Sequence, residues 1–387
     1  MDRNLLKSWL HISGLALGAF IFVSSELMPI GLLPEISEGL GKSEPITGRL
    51  VTSYAWLVAI LSLPLTVVTA KMDRRKLLLV LLIIFSAGNI LSGQATSYTA
   101  MLISRSAVAA AHAIFWAITP PLAARLAPLG RYTYGLTAIS AGCTLAIVMG
   151  VPLGTYIGHN LGWRTSFNIV GGTGLLITIL FFFILPALPS ISGGNLRSVF
   201  SIIRNKSLMA IFFITIFTVT ADFTPYTYLV PYLSTVVGLL HNTVVVVLLI
   251  IGATGIIGAV IGGKYADKYM RRLLLVTSFA YFGALFGLYF ANSTTIGTVI
   301  LMIVWSIAIT ILGITFQSWI LKLIPGAADQ AMAIYSGVYN IGIGLGAFMG
   351  GLAFDYIGVE YLGFSGVIFL IPAIALICIF GRYEQTS

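Results

Sequence analysis

Two carboxylates stand where a carboxylate is costly. Glu26 interrupts the apolar run FIFVSSELMPIGLLPEI (residues 20–36), and Asp222 interrupts IFTVTADFTPYTYLVPYL (residues 216–233). Each acid has a proline three residues on (Pro29, Pro225) and a valine three residues before (Val23, Val219). An acid at the centre of an apolar span costs roughly 2.5–3.5 kcal/mol on insertion scales, so such a residue marks a site by default. A carboxyl that alternates between dry and wet surroundings takes up and releases a proton. Burial favours its neutral form and a nearby cation its charged form. It can also accept hydrogen bonds from a ligand. The plainer reading is an acid held permanently protonated against the backbone of a neighbouring helix.

Other polar groups sit inside equally apolar runs. Arg105 and His112 fall in ISRSAVAAAHAIFWAI, seven residues and two helical turns apart, so they share a face. Arg105 is expected near the inner end of a cavity, paired with a carboxylate or a backbone carbonyl, unless it only snorkels towards headgroups. The imidazole of His112 donates to hydroxyls and titrates near neutrality, although a lone histidine in an apolar helix also serves packing. Trp116, four residues on, offers a ring face to a sugar or to the core. Gln317, Tyr335, Tyr339 and Asn340 add amides and phenols within later apolar runs, and Tyr54 and Tyr226 extend the set. Sugars bind through arrays of hydroxyl hydrogen bonds and ring stacking, which this mixture suits. Asn and Gln also glue membrane helices together.

The elements that hold these residues are apolar throughout. The chain is 58% hydrophobic and 9% charged with mean hydropathy +1.01, where a soluble protein carries about 25% charge. A conventional soluble core is excluded. Cys143 and Cys378 lie in apolar segments and suggest no disulfide framework. Runs of spanning length, roughly 20 residues, predict helices at 9–34, 46–70, 77–95, 99–126, 132–157 and 164–186. Six more follow at 208–235, 243–266, 273–292, 297–323, 329–353 and 361–381. The first is read as retained, because its apolar stretch is too long for a signal peptide. The organisation expected is one six-helix half over 1–189, a cytoplasmic linker over 190–207 and a second half over 208–387.

Twelve spans put both termini on one side. Of the 21 Lys and Arg residues, the opposite loops hold only Lys42, Arg49 and Arg164. The positive-inside rule therefore makes both termini cytoplasmic. The net charge of +9 follows this topology and forms no nucleic-acid face.

The two halves also resemble each other. The acids are offset by 222 − 26 = 196 residues, and Gly150 and Gly154 map at the same offset onto Gly346 and Gly350. Arg74-Arg75 and Arg271-Arg272 align at 271 − 74 = 197. Six spans per half give both copies the same orientation, related by an axis along the membrane normal, as in two-half transporters.

GKYADKYMRR (263–272), read as a short basic loop, resembles the cytoplasmic motif G-x-x-x-D-R/K-x-G-R-R of the major facilitator superfamily. Gly263, Asp267, Lys268, Arg271 and Arg272 match it. In the first half Thr66 and Ala70 replace the Gly and Asp, and Asp73 the second Gly. GVPLG (Gly150, Pro152, Gly154) is similar to the fifth-helix motif of proton-coupled antiporters, with Val151 interrupting the usual Gly-Pro. Arg105 sits where that branch places its fourth-helix Arg, without the Gln-Gly companions. SSELMPIGLLPEI, AHAIFW and SGVYNIGIGLGA together are similar to bacterial sugar efflux transporters, the arabinose- and thiogalactoside-exporting branch related to drug:proton antiporters.

The resemblance implies an all-α membrane protein of the major facilitator fold, a monomer in the bacterial inner membrane. It implies export of a small sugar or glycoside against protons by alternating access. Glu26 and Asp222 are the candidates for proton coupling. Glu26, Arg105, His112, Trp116, Gln317, Tyr339 and Asn340 are the candidates for substrate binding, and Asp267, Arg271 and Arg272 for gating. Besides substrate and protons the partner is the lipid bilayer; no cofactor, metal or nucleic acid is expected. The runner-up within carriers is a multidrug or other small-solute proton antiporter. A receptor or channel on this fold and an intramembrane hydrolase are the readings from other classes. No H-E-x-x-H, G-x-S-x-G or Gly-rich phosphate loop supports an enzyme.

Overall fold

The structure is a computed structural model that describes residues 3–127, 132–189, 204–323 and 328–380. All regular elements among them are helical. A bilayer offers no partner for an unpaired backbone group, so a spanning chain satisfies its own N–H and C=O groups along a helix. Among the described residues twelve helices are long and apolar enough to cross a membrane, and the chain is an integral membrane protein.

The chain forms two compact units. Unit 1 comprises Met1–Lys42 and Leu57–Gly194, and unit 2 comprises Ser43–Trp56 and Asn195–Ser387. In unit 1, α1 (Arg3–Gly31) is followed by the short α2 (Leu33–Leu40), and α3 (Glu44–Val68) contributes from Leu57 onwards. Next come α4 (Arg74–Gly93), α5 (Tyr98–Leu126), α6 (Tyr132–Leu145), α7 (Val151–Leu161) and α8 (Trp163–Ile184). A π-turn, Ala146–Gly150, joins α6 to α7 within one span.

Helices in lipid associate through close packing, so small residues decide where they touch. The fifth span presents Gly142, Gly150 and Gly154 to Ala16, Ser24 and Met28 of α1, in steps that keep one face. A side chain at Gly142 would overlap the Ala16 carbonyl oxygen. Behind α1, Phe22 stacks on Phe115 at 4.0 Å and meets Phe85 at 4.2 Å, tying α1 to α4 and α5.

Unit 2 contains α9 (Lys206–Tyr226), α10 (His241–Ala291), α11 (Thr295–Leu323), α12 (Ala328–Tyr356) and α13 (Leu362–Phe380). Asn205 caps α9, its side-chain oxygen accepting the N–H groups of Ser207 and Leu208 at 3.0 and 3.1 Å. Gly342, Gly346 and Gly350 of α12 pack on Val219, Phe223 and Thr224 of α9. The small-residue ladder of unit 1 thus recurs, and in both units it seats the acid-bearing helix.

Three boundaries differ from the sequence reading. The first span stops at Gly31, and Pro34 in the first turn of α2 starts a separate helix that closes on left-handed Gly41 (φ 59°). The run predicted as one helix over 208–235 ends at Tyr226, just past Pro225, and continues as Leu229–Pro231 and a π-turn Tyr232–Val236. The break is held by the Tyr228 hydroxyl donating to Ala347 O (3.2 Å) and the Tyr232 hydroxyl to Leu288 O (2.9 Å). The stretch read as a basic loop at 263–272 is helical, broken only at Tyr269 (φ −129°, ψ 31°) inside α10. Lys, Ala, Met and Arg are good helix formers, so polarity here does not mean loop. Most of the expected linker, 190–203, lies outside the described residues, as do Arg131 and Arg382.

Candidate functional site

In unit 1 the acid belongs to a buried polar cluster drawn from three helices. α1 supplies Ser25 and Glu26, α4 supplies Asn89, and α5 supplies Arg105 and His112. Arg105 Nη1 donates to Ser25 Oγ at 2.9 Å, and Ser25 Oγ donates to Asn89 Oδ1 at 2.7 Å. The Asn89 amide is turned by its own helix, Nδ2 donating to Phe85 O at 2.9 Å. Arg105 is 1% exposed, and its guanidinium carbon lies 5.7 Å from the centre of the Phe167 ring. His112 Nε2 stands 3.9 Å from Glu26 Oε2, and the Glu26 side chain keeps 14% exposure. The His112 ring meets Phe22 edge-on at 5.9 Å and Trp116 at 6.0 Å, so the sequence candidates His112 and Trp116 do adjoin.

The acid-x-x-Pro spacing has a local consequence. Proline has no N–H, so Pro29 leaves the Ser25 carbonyl without its intrahelical donor, and Pro225 does the same to Ala221. Each freed carbonyl lies one residue before the acid. In unit 2 it meets close packing, since a side chain at Gly366 of α13 would sit 2.7 Å from the Ala221 oxygen.

Arg105 lies two turns from Tyr98, at the end of α5 opposite Arg125. Its Nη1 donates to the Ser25 hydroxyl, one residue before the Glu26 carboxyl.

Asp222 of unit 2 accepts from Trp305 Nε1 at 2.6 Å and, at the outer limit of a hydrogen bond, from the Tyr281 hydroxyl at 3.4 Å. Both donors are buried, and Tyr226 stands edge-on to Trp305 at 6.3 Å. In each unit the acid rides on the first span; Asp222 meets side chains of the third and fourth, whereas Glu26 meets His112 of the fourth and the third reaches its neighbour Ser25. The chemistry differs: a guanidinium and an imidazole around Glu26, neutral donors around Asp222.

The remaining candidates are scattered. Asn340 is buried, with Nδ2 donating to Ser336 O of its own helix at 3.0 Å and Oδ1 lacking a donor. Tyr339 is half-buried with its ring 6.1 Å from Tyr335, and Gln317 is exposed on α11. Arg271 is half-buried and Arg272 exposed, while the side chain of Asp267 lies outside the described set.

At the matching place in the first half, Asp73 caps α4. Its Oδ1 accepts the Lys76 N–H at 3.0 Å and its Oδ2 the Leu188 N–H at 2.8 Å, while Arg74 N–H returns a bond to Leu188 O at 2.8 Å. Partial desolvation raises the Asp73 pKa. The N–H groups of Lys76, Leu188 and Arg75 and the Lys76 charge outweigh it, holding the carboxyl below its ordinary range.

Sequence reasoning missed Ser25, Asn89, Tyr281 and Trp305. Ser25 adjoins Glu26, and Asn89 is an amide in the apolar third span, so both carried a polar signal. Tyr281 and Trp305 look like packing until their polar edges are seen to converge on Asp222.

A family model described as the Major Facilitator Superfamily matches residues 15–347. Among solved structures, the chain is similar to a bacterial homolog of the human lysosomal transporter Spinster in an inward-facing, unoccupied conformation. That match has TM-score 0.81 and 17% identity over 99% of this chain and 98% of the other. The same homolog in an inward-facing, occupied conformation matches with TM-score 0.78 and 16% identity, again over 99% and 98% of the two chains. At these identities the likeness is one of fold.

Proposed function

Because the chain belongs to the Major Facilitator Superfamily, and so is a membrane transporter and not an enzyme, we propose that it exports small sugars or glycosides in exchange for protons. The observation that carries this reading is the cluster around Glu26. An acid, a guanidinium fixed through Ser25 and an imidazole converge inside the first unit beside the ring of Trp116. Such a set offers a polyhydroxylated ligand both donors and acceptors, with an aromatic face for its ring. Tyr339, Asn340 and Gln317 are carried as further substrate candidates, and Asp267, Arg271 and Arg272 as gating candidates, on the family resemblance alone.

Transport proceeds by alternating access. A proton arriving from outside neutralises Glu26, which removes an acceptor from the sugar and favours its release. Deprotonation towards the cytoplasm restores the acceptor. By linkage, bound sugar changes the affinity of the site for protons by the same factor. The proton gradient drives the cycle, each charge carrying about 2.3 kcal/mol per 100 mV. The Lys/Arg asymmetry orients both termini to the cytoplasm of a bacterial inner membrane, and the protein works as a monomer. The second reading, a multidrug or other small-solute proton antiporter, is favoured by Asp222, whose aromatic surroundings suit an organic cation.

The test is pH-gradient-driven flux of arabinose and an alkyl thiogalactoside in proteoliposomes, for wild type and Glu26→Gln. The wild type is expected to concentrate sugar, and the variant to exchange it without concentrating it. Equal pumping by both proteins removes Glu26 from the coupling role. Export of a hydrophobic cation with no sugar flux replaces the sugar reading by the second one.

A further inference from the structure

The two acids occupy matching places on matching helices, yet their charge environments are not equivalent. Arg105 belongs to the Glu26 cluster, linked through Ser25. Around Asp222 the described side chains bring no cation. From α10 comes Tyr281, from α11 Trp305 and from α9 itself Tyr226, while Tyr339 of α12 lies within electrostatic reach of Tyr281. The Lys and Arg residues of α10 end at Arg272, nine residues before Tyr281 and about 13 Å away along the helix. α11 carries its one base, Lys322, in its last turn, and α13 carries no acid or base apart from the thiol of Cys378 near its far end.

An ionised carboxylate in such a place is held by dipoles alone, which makes each donor count. Both donors end on Oδ1, no donor among the described residues reaches Oδ2, and Asp222 keeps 9% exposure. The bond from Trp305, at 2.6 Å, is much the shorter of the two. An indole N–H is a donor only, so it fixes the carboxylate without competing for a proton.

We infer that Asp222 is a proton-exchange site in its own right, independent of the Glu26 cluster, and that Trp305 is its positioning residue, with Tyr281 a weaker second donor. A proton from water adds to Oδ2 and forms an O–H bond, the carboxylate loses its charge, and the Trp305 bond to Oδ1 weakens from charge-assisted to neutral. Release reverses the step. The inference rests on the antiport reading for the direction of proton flow, while the titration itself stands without it.

The experiment uses the full chain in nanodiscs and records the indole fluorescence of wild type minus Trp305→Phe from pH 5 to 9. The expected result is a single-proton transition that disappears in Asp222→Asn and persists in Glu26→Gln. Asp222→Asn leaves Trp305 in place, so the result does not hang on the folding of one variant. In proteoliposomes, losing a donor to the ionised form moves the midpoint of the Trp305→Phe flux profile up by about one pH unit, a tenfold change in proton affinity. Tyr281→Phe moves it less. A pH-independent difference signal, or a transition that survives Asp222→Asn or vanishes in Glu26→Gln, overturns the inference. A Trp305→Phe variant that loses flux equally at every pH overturns the positioning role. A transition at Asp222 with no gradient-driven flux in the wild type sinks the antiport reading and leaves the site standing.

Discussion

Ser24 and Ser25 are adjacent, chemically identical and both buried, yet removing their hydroxyls should have opposite effects. Ser25 Oγ accepts from Arg105 and donates to Asn89, so Ser25→Ala cuts two buried hydrogen bonds, one of them to a charged group. Ser24 Oγ is buried with no hydrogen-bond partner, pressed against Gly150 of the fifth span. Neutral side-chain bonds within membranes contribute about 0.6 kcal/mol on average, and bonds to charged groups about 1.5–3 kcal/mol. Ser25→Ala is therefore expected to destabilise unit 1 by about 2 kcal/mol, a shift of roughly 30-fold in the folding equilibrium. Ser24→Ala removes a hydroxyl that was desolvated without return, so it should be neutral or mildly stabilising. The assay is equilibrium unfolding of the purified full chain in mixed micelles, run side by side with sugar flux in proteoliposomes. Flux should fall with Ser25→Ala, because Arg105 loses one of the bonds that hold it beside Glu26, and hold with Ser24→Ala. Equal destabilisation by the two substitutions would refute the reasoning, since burial and residue type would then decide the outcome and the hydrogen-bond network would not.

Two further outcomes follow from the packing and the caps. Gly142→Ala places a methyl group on the backbone oxygen of Ala16, which cannot rotate away, so overpacking of about 1–3 kcal/mol is expected. Gly172→Ala meets nothing within 4 Å and should gain up to about 1 kcal/mol of helix propensity; identical melting of the two variants would show that α1 and the fifth span are not in close contact. Because the carboxyl of Asp73 is held below its ordinary range, its contribution is fully present above about pH 4 and is lost as the pH falls through the folded value. The thermal stability of wild type should accordingly exceed that of Asp73→Asn at neutral pH and converge on it in acid. A difference that stays constant from pH 8 to pH 3 would count against the cap.

Much of this architecture is a local property of the chain. Hydropathy runs of spanning length fix the number of membrane helices, because each must satisfy its own backbone in lipid. The acid-x-x-Pro pair and the recurrence of Gly150 and Gly154 at Gly346 and Gly350 announce the repeat without any coordinates. They also pick out Glu26 and Asp222, since an acid in an apolar run stands out on chemistry alone. Where local composition misleads, the errors have one cause. The stretch 263–272 is polar yet made of good helix formers, so it folds as helix, and 208–235 is apolar yet broken after Pro225. What the chain could not announce is which side chains meet across helices. Ser25, Asn89 and Arg105 converge, and Trp305 turns its N–H to Asp222, only because close-packed small residues set the rotation and register of α1 and α9 against their neighbours. That register is a property of pairs of helices. It gives two acids with the same valine and proline spacing different company, a cation for Glu26 and neutral donors for Asp222.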